Sequence, residues 1–229
     1  VFFDMNYLLL VLLPTLVISG AVQAYLSSTY GKWSNVRNGA GVTGAQAAQA
    51  IFQRTELNPV QLIGVPGKLS DHFDPTKNVV GLSQGTAQGT SVASMAVAAH
   101  ELGHVQQYQQ KSPLMGLRSF LVPAVRLSPS VSYMLILFGL IFQFPGLAWM
   151  GVIVFGIAVI FMLVTVPVEL NASNRAMRLL DEAGLLTTEE DRKGARSVLT
   201  AAGLTYVAAA VTSILQLLYY ISLVQRSRR

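Results

Sequence analysis

Four apolar runs set the limits on what this chain can fold into. Tyr7 to Tyr25, Val131 to Phe144, Leu147 to Val168 and Leu204 to Val224 carry no charged side chain, and a weaker stretch, Phe120 to Val125, precedes the second. A bilayer core about 30 Å thick takes roughly 20 apolar helical residues to cross. Within it each backbone amide must bond inside its own segment, so runs of this kind become helices. Composition agrees: 52% of the 229 residues are hydrophobic and 12% are charged, against roughly 25% charged in soluble domains. The expected fold is a mainly α integral membrane protein with about four transmembrane helices. The second run is short for a span and is expected either to start earlier, near Pro129, or to tilt little.

The first run reads as a retained anchor or as a signal peptide. Only Asp4 is charged ahead of it, and a signal peptide carries a basic leading region, so the anchor is the expectation. Pro145-Gly146 reads as the turn of a helical hairpin between the second and third runs. The expected organisation is an anchor over 1–26, a catalytic part over 27–119, a transmembrane hairpin over 120–168, a second catalytic part over 169–200, and a last span with a basic tail over 201–229. A hairpin crosses twice, which leaves the two polar parts on one side, free to build one site.

Basic residues suggest which side. Lys32, Arg37, Arg118, Arg126, Arg175, Arg178, Arg192, Lys193 and Arg196 flank the hairpin side, against Arg226, Arg228 and Arg229 in the tail. Lysine and arginine collect in cytoplasmic loops, so the polar parts are expected in the cytoplasm. The net charge of +5 comes without aromatic interleaving or a nucleic-acid motif, so no nucleic-acid partner is expected. Lipid is the expected surroundings.

The polar part before the hairpin contains His100-Glu101-Leu102-Gly103-His104 in a helix-favouring run. Histidines four apart lie one turn apart on one helix face, so both imidazoles can reach one metal ion. The glutamate between them can hold a water at that ion as general base. This is the H-E-x-x-H pattern of zinc peptidases. The chain has no cysteine, so zinc, one per chain, must be held by histidine and carboxylate.

Further elements follow from local signals. Thr43-Gly44-Ala45-Gln46 predicts a capped helix start, with a helix to about Arg54 carrying Ala47, Ala50 and Ile51 on one side. Val60 to Val65, Lys68 to Phe73 and Val79 to Leu82 read as short strands, with turns at Pro66-Gly67 and Asp74-Pro75. The motif helix is placed over about Ser91 to Gln109. The catalytic part is thus expected to be zincin-like α+β, a small sheet with an H-E-x-x-H helix.

A catalytic zinc takes three protein ligands and keeps one position open. Glu169, at the end of the third run, is the third candidate, because a carboxylate there is costly unless paired or metal-bound. A helix starting near Pro167 would put Glu169 and Ser173 on one face. The alternative is an interfacial glutamate paired with Arg175 or Arg178. Asp181, Glu182, Glu189, Glu190 and Asp191 read instead as solvated helix surface. His72, between Asp71 and Asp74, reads either as an oxyanion stabiliser or as a strand histidine paired with a flanking aspartate. Asn171 and Arg175 compete for the oxyanion role, and Gly81-Leu82-Ser83 reads as a strand for binding substrate backbone.

Ser91 to Gln107, Leu69 to Pro75, Gly81-Leu82-Ser83 and Pro167 to Ser173, with Asn6-Tyr7, Lys32 to Thr43 and the order of the spans, resemble the bacterial neutral zinc metallopeptidases of the YugP type. The resemblance covers most of the chain. It implies zinc peptidase activity in a bacterial plasma membrane. A wider similarity is to the HtpX-like and CAAX-processing membrane proteases of peptidase family M48. These also set a membrane hairpin between the H-E-x-x-H helix and a glutamate ligand, with the site at the cytoplasmic face. Their glutamate is usually followed four residues later by an aspartate that supports a zinc-bound histidine. Ser173 stands at that position here and can bond an imidazole without adding charge. Asn171 or Asp71 are the other candidates for orienting a ligand.

The expected function is a zinc metalloendopeptidase with His100, His104 and Glu169 as ligands and Glu101 as base. Its expected substrates are proteins or peptides, membrane proteins above all, in processing or quality control. An idle zincin-like scaffold or regulatory subunit has no need of Glu101. A metal transporter would carry ionisable groups in mid-membrane, where these runs have none.

Overall fold

The computed structural model describes residues 5–226; Asp4 and the tail residues Arg228 and Arg229 lie outside them. Helix α1 (Met5–Tyr7), a π-helical stretch (Leu8–Leu12) and α2 (Leu13–Ser34) follow one another without a break. Next come α3 (Gly44–Arg54), β1 (Gln61–Val65), β2 (His72–Asp74), β3 (Val79–Ser83), α4 (Gln84–Gln88) and α5 (Val92–Gln109). Three long helices complete the chain: α6 (Pro113–Ile141), α7 (Pro145–Glu182) and α8 (Glu189–Arg226). The protein is mainly helical, and four of its helices, Met5–Ser34, α6, α7 and α8, are long and apolar enough to cross a membrane.

The chain forms two compact units. One takes in the described residues up to Val22, Gly116–Pro167, and the chain from Thr205 onward; the other takes in Gln23–Met115 and Val168–Leu204. The borders fall inside helices, so α2, α6, α7 and α8 each have residues in both.

In the first unit, α6 and the leading part of α7 form the hairpin. The turn is Phe142–Phe144, not Pro145-Gly146: Gln143 takes a left-handed φ of 51° and the Phe144 N–H donates to Gly139 O over 2.8 Å. Pro145 instead opens α7, where a missing N–H leaves no helical bond unmade. The arms pack closely, and a Cβ on Gly139 would lie 2.4 Å from the Ala148 nitrogen. Two further expectations are corrected here. The second span does not begin near Pro129, since α6 runs from Pro113 through Pro123 and Pro129. Pro167 does not start a helix but lies inside α7. Each proline forfeits one backbone bond, a loss that long apolar helices tolerate with help from neighbouring groups.

The second unit is built around α5. Thr43 caps α3 as expected: its Oγ1 accepts from Gln46 N and Gln46 Oε1 accepts from Thr43 N. Ala47, Ala48 and Ile51 then face the core, with Ala50 half-buried. Ser91 caps α5 by accepting from Ser94 N. This helix is buried nearly all round, among residues of α3, β3, the far part of α7 and the start of α8. Met95 and Leu102, both fully buried, contribute roughly 1.5–3 kcal/mol each to holding it there.

The sheet has the order β1-β3-β2, with β1 parallel and β2 antiparallel to β3. β2 is shorter than the Lys68–Phe73 run suggests. Leu69 has a φ of 53°, and Ser70 Oγ donates to Pro66 O, so the chain is still turning there. β3 is the central strand, paired on both sides. The Gly81-Leu82-Ser83 strand is therefore not an open edge for substrate backbone.

Asp191 also differs from expectation. It is 1% exposed rather than solvated. Its carboxylate accepts from Gly39 N, Thr187 Oγ1 and Thr188 N, while its own N–H donates to Thr188 Oγ1. It thus closes a reciprocal cap on α8 and ties that helix to the loop after α2.

Candidate metal centre

His100 and His104 project from one face of α5 with their ring centroids 4.8 Å apart. Glu169 reaches them from α7. Its Oε2 lies 3.3 Å from His100 Nε2 and 3.5 Å from His104 Nε2. Ligand atoms of the three residues lie within 4.8 Å of one another, the one such group among the described residues. The two short separations are long for charge-assisted hydrogen bonds, which run about 2.7–2.9 Å. They match the edge of a tetrahedron with arms of about 2.05 Å, which is about 3.4 Å and is the spacing of donors around zinc. Glu169 is 1% exposed, and a carboxylate so buried is costly without cationic partners. Two nitrogens and one carboxylate oxygen, with no thiolate, also suit zinc chemically. The residues fit the ion.

The other ring nitrogens are held as well. His100 Nδ1 lies 3.3 Å from Ser173 Oγ, one turn past Glu169 on α7. His104 Nδ1 lies 3.0 Å from Gln107 Oε1. Both Nε2 atoms are thereby left toward Glu169. The backbones of α5 and α7 approach closely beside the group: a Cβ on Gly103 would lie 2.4 Å from Ala172 O. Glycine at 103 is what permits that distance.

Glu101 lies next to the group, 6% exposed. No described residue hydrogen-bonds its carboxylate. Burial pushes its pKa up to about 7; His100 and His72 pull it down, while Asp71 and Glu169 add to the rise. It sits in a place where taking up and releasing a proton near neutrality is feasible.

The remaining sequence candidates separate into two groups. Asn171 and Arg175 lie beside the metal group in a polar chain: Asn171 Oδ1 accepts from Gln107 Nε2 and from Arg175 Nε. Arg175 Nη1 donates to Gln106 and Gln110, so its donors go to amides rather than to Glu169. Asp71 and His72 belong to the sheet side. Asp71 accepts from Ser83 N, Ser83 Oγ and Thr86 Oγ1, and no imidazole bonds it. His72 is exposed; its Nδ1 faces Ser70 O at 2.9 Å, not a flanking aspartate, and its ring covers Gly81. Neither residue hydrogen-bonds any of the three candidate ligands. Gln107 and Gly103 were missed in the sequence. Gln107 carried a signal, since it lies three residues after His104 and so on the same helix face. Gly103 carried none beyond being small.

A family model described as "Putative neutral zinc metallopeptidase" matches residues 8–225. The chain is 37% identical over 216 residues to "Putative membrane protease YugP" of Bacillus subtilis (strain 168), covering 94% of this chain and 96% of that protein. No solved structure matches it.

Proposed function

The chain belongs to the family described as "Putative neutral zinc metallopeptidase", and on that premise we propose that it is a membrane-embedded, zinc-dependent endopeptidase with a zincin-like catalytic unit. The observation that carries the proposal is the convergence of His100, His104 and Glu169 within 4.8 Å. These residues hold one zinc ion. Zinc so held would supply Lewis-acid chemistry, lowering the pKa of a water toward 7 and polarising a peptide carbonyl.

The chain's own groups do the rest. Glu101 takes a proton from the attacking water and returns it to the leaving amine. Ser173 and Gln107 hold the two imidazoles in place. A scaffold without activity would need no such base, and the buried carboxylate of Glu101, unbonded by any described residue, favours the enzyme.

For substrate binding we assign the outer edge of β2 in place of β3. β2 is an edge strand that packs against α5, with Phe73 of β2 in edge contact with Tyr108 of α5, centroids 5.6 Å apart. An extended peptide added there would gain main-chain hydrogen bonds beside the motif helix. His72, on that strand, is the candidate for oxyanion stabilisation, since Arg175 and Asn171 are engaged elsewhere.

The substrates are membrane proteins or their exposed tails, in processing or quality control, because Glu169 directly follows the third apolar run. The membrane is a bacterial plasma membrane, and the catalytic side is cytoplasmic by the bias of nine basic residues against three. The test is metal analysis and cleavage of a membrane-derived polypeptide by the protein purified in detergent. One zinc per chain is expected, with cleavage lost on chelation and restored by zinc. A protein without zinc, or one whose cleavage ignores chelation, contradicts the proposal.

A further inference from the structure

We infer that Gln107 fixes His104 as its Nδ1–H tautomer, and that Arg175 and the Val168 carbonyl dictate this through the direction of a hydrogen-bond chain. The argument starts at groups whose roles cannot change. The Arg175 Nε carries a proton and only donates; a peptide carbonyl has no proton and only accepts. Arg175 Nε lies 2.7 Å from Asn171, so Asn171 must turn its Oδ1 to that point. The Gln107 amide faces that same Oδ1 at 2.9 Å and Val168 O at 2.8 Å. Both are acceptors, so Gln107 must present its NH₂ to them. Its Oε1 is then the atom left for His104 Nδ1, 3.0 Å away. An acceptor there requires the proton on Nδ1. In the neutral imidazole His104 Nε2 is then the unprotonated nitrogen, 3.5 Å from Glu169 Oε2.

Gln107 is 1% exposed, so water does not compete for these bonds. The same side chain holds His104 on α5 and, through Val168, the residue just before Glu169 on α7. One amide therefore sets both the tautomer of one proposed ligand and the backbone next to another. His100 has no such constraint. Its partner, the Ser173 hydroxyl, can turn to donate or accept. Gln107 is thus a positioning residue, and Asn171 and Arg175 act through it. The consequence for zinc rests on the proposed metal site, because an imidazole binds metal through an unprotonated nitrogen. The tautomer itself does not rest on it.

The experiment uses the full chain in detergent, as parent, Gln107→Met, Asn171→Leu and Asn171→Asp. Long-range ¹H–¹⁵N spectra of the metal-free protein, above the histidine titration range, report the tautomer of each of the three imidazoles. Competition with a chromophoric chelator reports zinc affinity. In the parent, His104 should be the Nδ1–H form. Gln107→Met should lose that form and bind zinc more weakly, by about 10–100-fold as for other groups that orient a ligand, whereas Asn171→Leu should keep the form, because Val168 O still fixes the Gln107 NH₂. Asn171→Asp, whose carboxylate still accepts from both donors, should keep tautomer and affinity. An Nε2–H form in the parent overturns the inference. So does a Gln107→Met protein with parental tautomer and affinity, or an Asn171→Leu protein that has lost the Nδ1–H form. If Gln107→Met does not fold, the parent and the Asn171 pair decide. A parent with the Nδ1–H form that takes up no zinc supports the inference and counts against the metal reading alone.

Discussion

Glu169 Oε2 lies 3.3 Å from His100 Nε2, although 69 positions separate the two residues in the chain. The carboxylate stands at the spacing of zinc donors from each imidazole before any ion is considered. Two helices produce this, α5 carrying the histidines and α7 the glutamate, with Gly103 and Ala172 in backbone contact beside them.

Removing that carboxylate should remove the metal. Glu169→Ala is expected to lose zinc on dialysis, because two imidazoles alone bind too weakly to keep it. Glu182→Ala, an exposed glutamate at the end of the same helix, should retain the parental zinc content. Equal zinc in Glu169→Ala and the parent would rule the residue out as a ligand.

The close approach of α5 and α7 is testable separately. A methyl at position 103 would meet Ala172 O at 2.4 Å, and backbone on both sides leaves no flexible atom to give way. Gly103→Ala should force the helices apart, at about 1–3 kcal/mol of stability, and should weaken zinc binding as well. Gly116→Ala has open space around it and should match the parent in both. The check is a thermal melt with zinc titration. A parental melt and affinity in Gly103→Ala would show that the contact does not hold the site.

Much of this was legible because it is local. Thr43 with Gln46 is a cap readable within four residues and appears in the structure, as does the motif helix placed over about Ser91 to Gln109. The apolar runs identify four candidate spans for the same reason. What could not be read depends on distant partners or on rules that apolar surroundings override. Asp191 looked solvated in a charge-rich stretch, yet one of its donors, Gly39 N, is 152 residues away. Pro123, Pro129 and Pro167 signal breaks, but α6 and α7 continue through them. His100, Glu101 and His104 were visible as a motif and Glu169 by elimination. The partners that orient them divide: Ser173 was suggested by resemblance, whereas Gln107 needed the fold.

Orientation in the membrane has a direct assay, since the chain lacks cysteine. Single cysteines at Asn35 and Glu190, both exposed in the second unit, should resist an impermeant thiol reagent in intact cells and react after lysis. A cysteine at Ser227, outside the described residues, should react without lysis. The opposite pattern would invert the topology and move the expected substrates to extracytoplasmic segments.

The most direct measurement compares peptide cleavage by zinc-loaded parent and zinc-loaded Glu101→Gln protein. Glu101 is not among the three converging ligands, so the variant should hold one zinc per chain, as the parent should. Its kcat should fall by at least ~10²-fold, the loss expected when a general base is removed. A zinc-loaded Glu101→Gln protein that turns over substrate at close to the parental rate would contradict the proposed mechanism at its centre.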